Sequence, residues 1–388
     1  MPETSIPAIK APPPARDNPL TRSVAGVIGM VFLAVMVIAC IGTLPWTMGR
    51  SRGVSGEHDG PPRYDVQYKT ARHLPPFWWR GSADSDGVET RLRETARYRA
   101  LEALAIERNQ REVAGAGRAT VETLLAERVE PTREQVDRAT PRHWMGTDLL
   151  GRDLLVRCLA GGGISLSIGI AAAALSVLLG TLYGSVAGYV GGRTDAVMMR
   201  IVDVLYGLPY ILLVVLLAVA VDGLVDRWQQ GGLELSAGQR EVAGLVTLLV
   251  AIGSVSWLTM ARVVRGQVLS LKAQPFMEAA RAMGVPVRGQ FVRHLLPNLV
   301  GPIVVYATLT VPQAILQESF LSFLGIGVRP PMPSWGNLAA DGLSELNPVN
   351  SHWWLLLFPC VLLGLTLLAL NFVGEGLREA LDPKRSRR

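Results

Sequence analysis

Uncharged stretches of 18 residues or more recur along the chain, at 23–49, 158–192, 204–221, 242–261, 294–317 and 346–374. Each is mostly apolar, and a bilayer core takes about 20 apolar residues of helix per crossing. The pattern predicts an all-α integral membrane protein with about six transmembrane helices. Barrel strands would instead alternate apolar and polar over about 10 residues, which excludes an outer-membrane barrel. Between the first two windows the chain changes character: turn-rich around Pro61-Pro62 and Pro75-Pro76-Phe77-Trp78-Trp79, then strongly charged. Val88, Leu92, Leu101, Leu104 and Ala105 recur at helical spacing within 88–112, as do Val121, Leu124, Leu125 and Val129 within 120–129. Two amphipathic helices follow from that period.

The pattern divides the chain into five parts. Residues 1–22, with Pro2, Pro7, Pro12, Pro13, Pro14 and Pro19, read as a disordered cytoplasmic tail. The first transmembrane helix spans 23–43; at about 21 apolar residues it is longer than a signal-peptide core and reads as an uncleaved anchor. An extracytoplasmic, partly helical insert covers 44–145, a membrane core with five further spans covers 146–380, and a basic cytoplasmic tail covers 381–388. With 17 acidic and 19 basic residues over 44–157, the insert region is close to neutral. Two readings of it stand: a solvated helical cap on the membrane domain, or a docking surface for a soluble partner.

Charge then sets the orientation. With the N-terminus cytoplasmic, the inside segments 1–22, 191–203, 262–294 and 375–388 carry sixteen Lys or Arg, against three in the short outside loops 222–241 and 318–352. This positive-inside bias places both termini on the cytoplasmic side of the membrane. The net charge of +6 reports that asymmetry and gives no ground for a nucleic-acid partner.

Catalytic signatures are missing. None of the four lysines, Lys10, Lys69, Lys272 and Lys384, follows a glycine, so there is no phosphate-binding Walker loop in this sequence. His58, His73 and His143 lack the spacing of a metal site, and Cys40, Cys158 and Cys360 imply no disulfide framework. No metal, cofactor or catalytic residue is assigned. Energy for uphill movement would enter through another polypeptide.

The informative polar segment is 272–286. Pro275 suits a first helical position, Glu278 puts a carboxylate in the first turn, Gly284 suits a left-handed stop, and Pro286 prevents continuation. A short, sharply bounded helix between two spans results. Phe276, Met277 and Met283 give it apolar anchors, and it either enters a partner's groove or lies on the membrane surface.

Glu278-Ala279-Ala280, Gly284 and Leu296-Pro297-Asn298 resemble the EAA signature of bacterial ABC importer permeases. Three further runs are similar to the dipeptide/oligopeptide branch of these binding-protein-dependent inner membrane components. They are Gly146-Thr147-Asp148-Leu149-Leu150-Gly151-Arg152-Asp153, the segment Ser319–Gly327 with Pro330–Gly336, and Asn371–Pro383, where Glu375 and Glu379 stand in place of the more usual Asp. The resemblance covers about 1–45 and 142–388; the insert is several tens of residues longer than in compact members.

What the resemblance implies is a type I importer core in which 275–284 is a coupling helix, with Glu278, Ala279, Ala280, Gly284 and Pro297 as the ATPase-coupling residues. Implied partners are a second homologous permease, two ATP-binding subunits at the cytoplasmic face that hold ATP and magnesium, and an external substrate-binding protein. Cargo would be peptides or peptide-like compounds. A secondary transporter or a membrane-anchored interaction protein acting through the insert are the other classes.

Asp203 and Glu318 are the candidate intramembrane polar or pathway residues. Asp203 is expected to pair with Arg200 on one helix face near the end of the third span. Glu318 is either a structural partner or a pathway group near the external interface. Gly180, Gly184 and Gly188 make a small-residue stripe suited to close helix contact, and Pro209 and Pro312 are expected to kink spans.

Overall fold

The computed structural model describes residues 24–52, 60–79, 85–111, 119–231, 237–347 and 351–381. The proposed N-terminal tail, His58 and nearly all of the C-terminal tail lie outside these residues. Every regular element among the described residues is helical. Helix α1 (Val24–Cys40) and the short α2 (Leu44–Thr47) lead into the insert, which holds α3 (Ser85–Arg111), α4 (Val121–Ala126) and α5 (Arg133–Ala139). The membrane region follows with α6 (Leu154–Val190), α7 (Gly192–Tyr206), α8 (Tyr210–Gln230) and α9 (Ala237–Lys272). Then come α10 (Pro275–Ala282), α11 (Val287–Gly289), α12 (Leu296–Phe323), α13 (Trp335–Ser344) and α14 (Trp354–Leu381).

Among the described residues, five helical segments are long and apolar enough to cross a membrane: Gly26–Thr47, Leu154–Val190, Gly238–Lys272, Val287–Phe323 and Trp354–Glu379. The pair α7 and α8 supplies a sixth if it is one broken span, and it bends by 93°. The uncharged window at 204–221 predicts a simple third span, but its first residues belong to amphipathic α7. Pro209 causes the break: it has no N–H to donate and disfavours helical geometry at Leu208. Pro302 and Pro312, in contrast, lie inside α12 without ending it.

Helix α6 is the axis of the bundle. Asp153 starts it by accepting hydrogen bonds from the Leu155 and Val156 amides at 2.9 and 3.3 Å. α6 packs most extensively on α9, with α12 against it. The glycine stripe sets the α6–α9 distance: a Cβ on Gly180 would stand 2.5 Å from the Met260 Cβ, and one on Gly184 would stand 2.3 Å from the Ala261 carbonyl oxygen. The stripe is therefore an internal seam. α13 fills the space between α6, α12 and α14; it starts at Ser334, which forms a capping box with Asn337, and buries Trp335, whose Nε1–H donates to the Cys158 carbonyl at 3.1 Å.

The insert builds a small apolar core of its own from Leu101, Ala105, Val121 and Leu124, with Leu104 and Val129 against them. Thr120 and Thr132 open α4 and α5 with capping boxes. Ion pairs Arg97–Glu130 and Arg108–Glu127 close its surface. Helix α5, which carries no residue of that core, has too few apolar positions to register as a period.

Because the atom facing Gly184 is backbone, it has no rotamer with which to retreat. Gly184→Val is expected to destabilise the bundle by about 1–3 kcal/mol, read as a lowered unfolding midpoint of the detergent-solubilised chain. Gly364→Val, where nothing lies within 4 Å, is the control and should leave the midpoint close to wild type.

Candidate functional site

Helix α10 protrudes between α9 and α12 at the end of the bundle opposite the insert. Pro275 occupies its first turn, and Gln274 precedes it in extended geometry. Gly284 terminates the helix at φ +72°, a left-handed conformation in which any Cβ is strained. The Val285 amide bonds back to the Ala280 carbonyl at 3.0 Å and the Gly284 amide to Arg281 at 3.0 Å, closing the C-terminus. Glu278 and Ala279 are exposed, Ala280 is buried, and Pro297 is exposed in the first turn of α12. The three apolar anchors divide: Met277 is fully buried within the chain, whereas Phe276 and Met283 remain 39% and 74% exposed. Met277 therefore fixes α10 to its own protein, and the other two face outward.

A hydrogen-bond relay with no sequence signature carries α10 onto the spans. Lys272 Nζ donates to the Tyr189 carbonyl at 2.6 Å, and the Tyr189 hydroxyl donates to Gln290 Oε1 at 3.0 Å. Gln290 Nε2 donates onward to the Val285 carbonyl at 2.7 Å. The relay joins the last residue of α9, the end of α6 and the loop after α10. Gln290 opens a π-helical stretch, Gln290–Leu295, where the helix is locally widened; such stretches are frequent at functional sites.

Asp203 does not select Arg200. Its carboxylate accepts from Arg262 Nη2 of α9 at 2.8 Å, and that guanidinium also lies 4.1 Å from the Tyr206 ring centre. One turn further along α9, Arg265 grips Asp195 through two hydrogen bonds of 2.5 and 2.6 Å. Two ion pairs thus strap α7 to α9. Partners 59 and 70 positions away are beyond any local spacing rule.

Between α8, α9 and α12 lies a cavity of about 470 Å³, lined by Tyr206, Tyr210, Ser256, Thr259, Gln313 and Gln317 among others. Tyr210 donates to Gln317 Oε1 and lies 3.2 Å from Ser256 Oγ, so polar groups converge at membrane depth. Neither Asp203 nor Glu318 lines this cavity. Glu318 is fully buried; Ser322 donates to it at 2.7 Å and Ser319 at 3.2 Å, while the hydroxyls of Ser165 and Ser334 also face the carboxyl group.

At the insert end, 146–153 forms a knot. Asp148 Oδ1 accepts the Leu150 and Arg152 amides at 2.9 and 3.0 Å, and Oδ2 accepts Arg152 Nε and Arg157 Nη1 at 2.7 and 2.6 Å. Arg152 reaches back to Asp65 at 3.0 Å. Thr147 donates to the Ala71 carbonyl and accepts from the Leu74 amide at 2.7 Å. His143 Nδ1 lies 2.7 Å from Asp153. Gly151 holds φ +74° where the Tyr68 carbonyl would meet any Cβ. Close by, the rings of His73 and His352 stack with centres 3.8 Å apart. Burial pushes both imidazoles below their ordinary range, and the neighbouring His352 ring adds to the effect on His73.

Residues 180–387 match the family described as binding-protein-dependent transport system inner membrane component. The oligopeptide transport system permease protein OppC of Haemophilus influenzae is 48% identical over 242 residues, covering 62% of this chain and 70% of that protein. The dipeptide transport system permease protein DppC of Bacillus subtilis is 46% identical, covering 62% and 69%. OppC of Escherichia coli (strain K12) is 50% identical over 244 residues, covering 62% and 72%.

The knot generates a stability prediction of its own. Asp148→Asn removes the negative charge facing Arg152 and Arg157, of which Arg157 is 3% exposed. A loss on the order of 3 kcal/mol is expected, measured as a lowered unfolding midpoint together with faster proteolysis of 60–79.

Proposed function

The chain belongs to the family of binding-protein-dependent transport system inner membrane components, and from that premise we propose that it is the permease subunit of an ATP-driven importer of peptides or peptide-like substrates. The names of its relatives support the cargo class: oligopeptide and dipeptide permeases at 46–50% identity. A second, homologous permease completes the translocation path. Two ATP-binding subunits hold ATP and magnesium, and an external binding protein delivers cargo at the insert end. This chain itself is non-catalytic.

The observation that carries the reading is α10. It is rigid, sharply capped and anchored inward by Met277, while Phe276, Glu278, Ala279 and Met283 face outward. Its relay through Lys272, Tyr189 and Gln290 gives force on α10 a direct route into α6 and α9. The sixteen-to-three distribution of basic residues supports a cytoplasmic location for this loop and for both termini. Glu278, Ala279 and Gly284 then act through docking geometry, Ala280 through the close fit of α10 to its neighbours, and Pro297 through the start of α12.

The polar cavity at Tyr210, Ser256 and Gln317 is the proposed wall of the path. Asp203 acts as a strap between α7 and α9, and Glu318 as a structural group in its hydroxyl cage. Peptides carry backbone donors and acceptors along their whole length, and neutral amide and hydroxyl groups meet these without trapping a charge.

Two experiments test this. Gly284→Asp puts a side chain into left-handed geometry, at a cost of about 1–2 kcal/mol, and adds a charge to the docking face. In the assembled, membrane-inserted complex it should abolish ATP-driven peptide uptake; uptake at the wild-type rate would refute the coupling assignment. Gln317→Ala should raise the apparent KM for peptide severalfold at an almost unchanged unfolding midpoint. Glu318→Gln should lower the midpoint and leave KM unaltered, and the opposite split would reassign the pathway role to Glu318.

A further inference from the structure

Aromatic side chains from three stretches of chain meet at the insert end: Phe77, Trp78 and Trp79 from the turn after Pro75-Pro76, Trp144 from the segment before α6, and Trp353 and Phe358 from around the start of α14. Trp78 lies edge-on to Trp353 and Phe358, with ring centres 6.3 and 6.4 Å apart, and Trp79 lies edge-on to Trp353 at 5.6 Å. Phe77 stands edge-on to Trp144 at 4.8 Å. Hydrogen bonds pin the turn from its inner side. The Phe77 amide donates to the His143 carbonyl at 2.9 Å, the Trp79 amide to the Pro76 carbonyl at 2.8 Å, and Trp78 Nε1–H to the Trp144 carbonyl at 2.9 Å. The outer side is uncovered: Phe77, Trp78, Trp79 and Trp144 are between 39% and 58% exposed. Four large aromatic side chains in one exposed cluster form an apolar patch of the kind that marks an interaction surface.

The position of the patch in the fold determines what covers it. Phe358 lies one turn, about 6 Å of helix, inside the membrane-crossing segment Trp354–Glu379, and Trp78 reaches it. From there Leu357, Val361, Leu365 and Leu368 continue along α14 at helical spacing, all exposed, as the lipid-facing stripe of a span. A soluble partner would have to enter the bilayer to cover Trp78, where lipid already stands. No residue of α14 lines the cavity between α8, α9 and α12, so the patch is separate from that polar surface. The polar atoms fit the same depth. Trp78 has its one N–H bonded internally, which leaves only hydrocarbon on its exposed side. The indole N–H groups of Trp79 and Trp144 have no partner among the described residues, and they suit a headgroup layer that offers phosphate and ester oxygens.

We propose that the turn at 75–79, together with Trp144, is a membrane-interface anchor whose partner is phospholipid, seated in the headgroup and glycerol layer of the leaflet at the insert end. The charged helices α3, α4 and α5 have a small core of their own and stay in water. The aromatic turn holds one edge of the insert at the depth where α14 enters the bilayer. Indole rings are rigid and amphipathic, and the interface is where both of their ends are satisfied. The insert is thereby fixed relative to the plane of the membrane as well as to the helix bundle.

The test uses the full chain in vesicles of phosphatidylethanolamine and phosphatidylglycerol, on a Cys360→Ser background in which the remaining cysteines, Cys40 and Cys158, are buried. Nitroxide labels are placed at Trp79→Cys and Trp144→Cys, with Glu122→Cys, an exposed position of α4, as the aqueous control. The ratio of oxygen accessibility to accessibility for a water-soluble nickel chelate should be severalfold higher at the two aromatic sites than at the control. A second measurement keeps an aromatic ring in place. With lipids brominated near the carbonyl end of their acyl chains, Trp79→Phe and Trp144→Phe should each lose part of the quenchable tryptophan emission of the wild type. Chelate accessibility matching that at Glu122→Cys, or undiminished quenching in both phenylalanine variants, would overturn the anchor. So would protection from the chelate that arises only after other subunits are added, an outcome that assigns the patch to a protein partner.

Discussion

How close two backbones approach along α6 determines the rest of this structure. Where Gly184 meets the Ala261 carbonyl there is no side chain between the helices, so α6 and α9 pack as backbone surfaces. In a bilayer this matters more than it would in water, since lipid tails give apolar side chains no reason to prefer protein; close van der Waals contact is what remains to hold spans together. With α9 fixed to α6, the ion pairs from Arg262 and Arg265 can fix α7. α12 and α13 then close around Glu318 and Trp335 on another side of α6. The glycine seam therefore comes first in the physical order, and the ion pairs, cavity and buried carboxyl group are consequences of it.

The seam also determines what α6 can transmit. Its 37 residues span about 55 Å at 1.5 Å per residue. One end is started by Asp153, which belongs to the Asp148 knot and through it to the insert. The other end carries Tyr189, which belongs to the relay leading to α10. A helix packed closely against α9 at three glycines and held at both ends has little freedom to bend between them. Polar networks fix its two ends, and a tight small-residue seam fixes the length between them.

Much of this was legible in the sequence because a bilayer imposes rules that act locally. Five of the six uncharged windows correspond to single long helices, since length and apolarity alone decide insertion. The bounds of α10 were readable from Pro275, Gly284 and Pro286, whose backbone restrictions need no tertiary partner. What failed were readings that depended on which groups meet. Asp203 was matched with the nearest basic residue on its own helix, but 93° of bending at Pro209 presents it to Arg262 instead. Composition groups Met277 with the outward anchors Phe276 and Met283, whereas the folded chain buries it completely. Local rules are written in spacing; pairing across the bundle is written only in the packing.

The contrast between Gln317 and Glu318 shows how packing separates adjacent residues into different chemistry. Successive positions on a helix point about 100° apart, so one faces the cavity between α8, α9 and α12, and the other faces α6 and α13. Tyr210 and Ser256 hold the Gln317 side-chain oxygen at the edge of open space. Ser165, Ser319, Ser322 and Ser334 surround Glu318 with hydroxyl groups and no solvent. A carboxyl group so enclosed ties α6, α12 and the start of α13 to one another through a shared set of hydrogen bonds. An acidic residue at membrane depth commonly marks a transport path, but that expectation rests on the cost of burial, and the hydroxyl cage offsets that cost without a path. At this point in the bundle the more expensive residue is the enclosed one, and its neutral neighbour is the one exposed to the cavity.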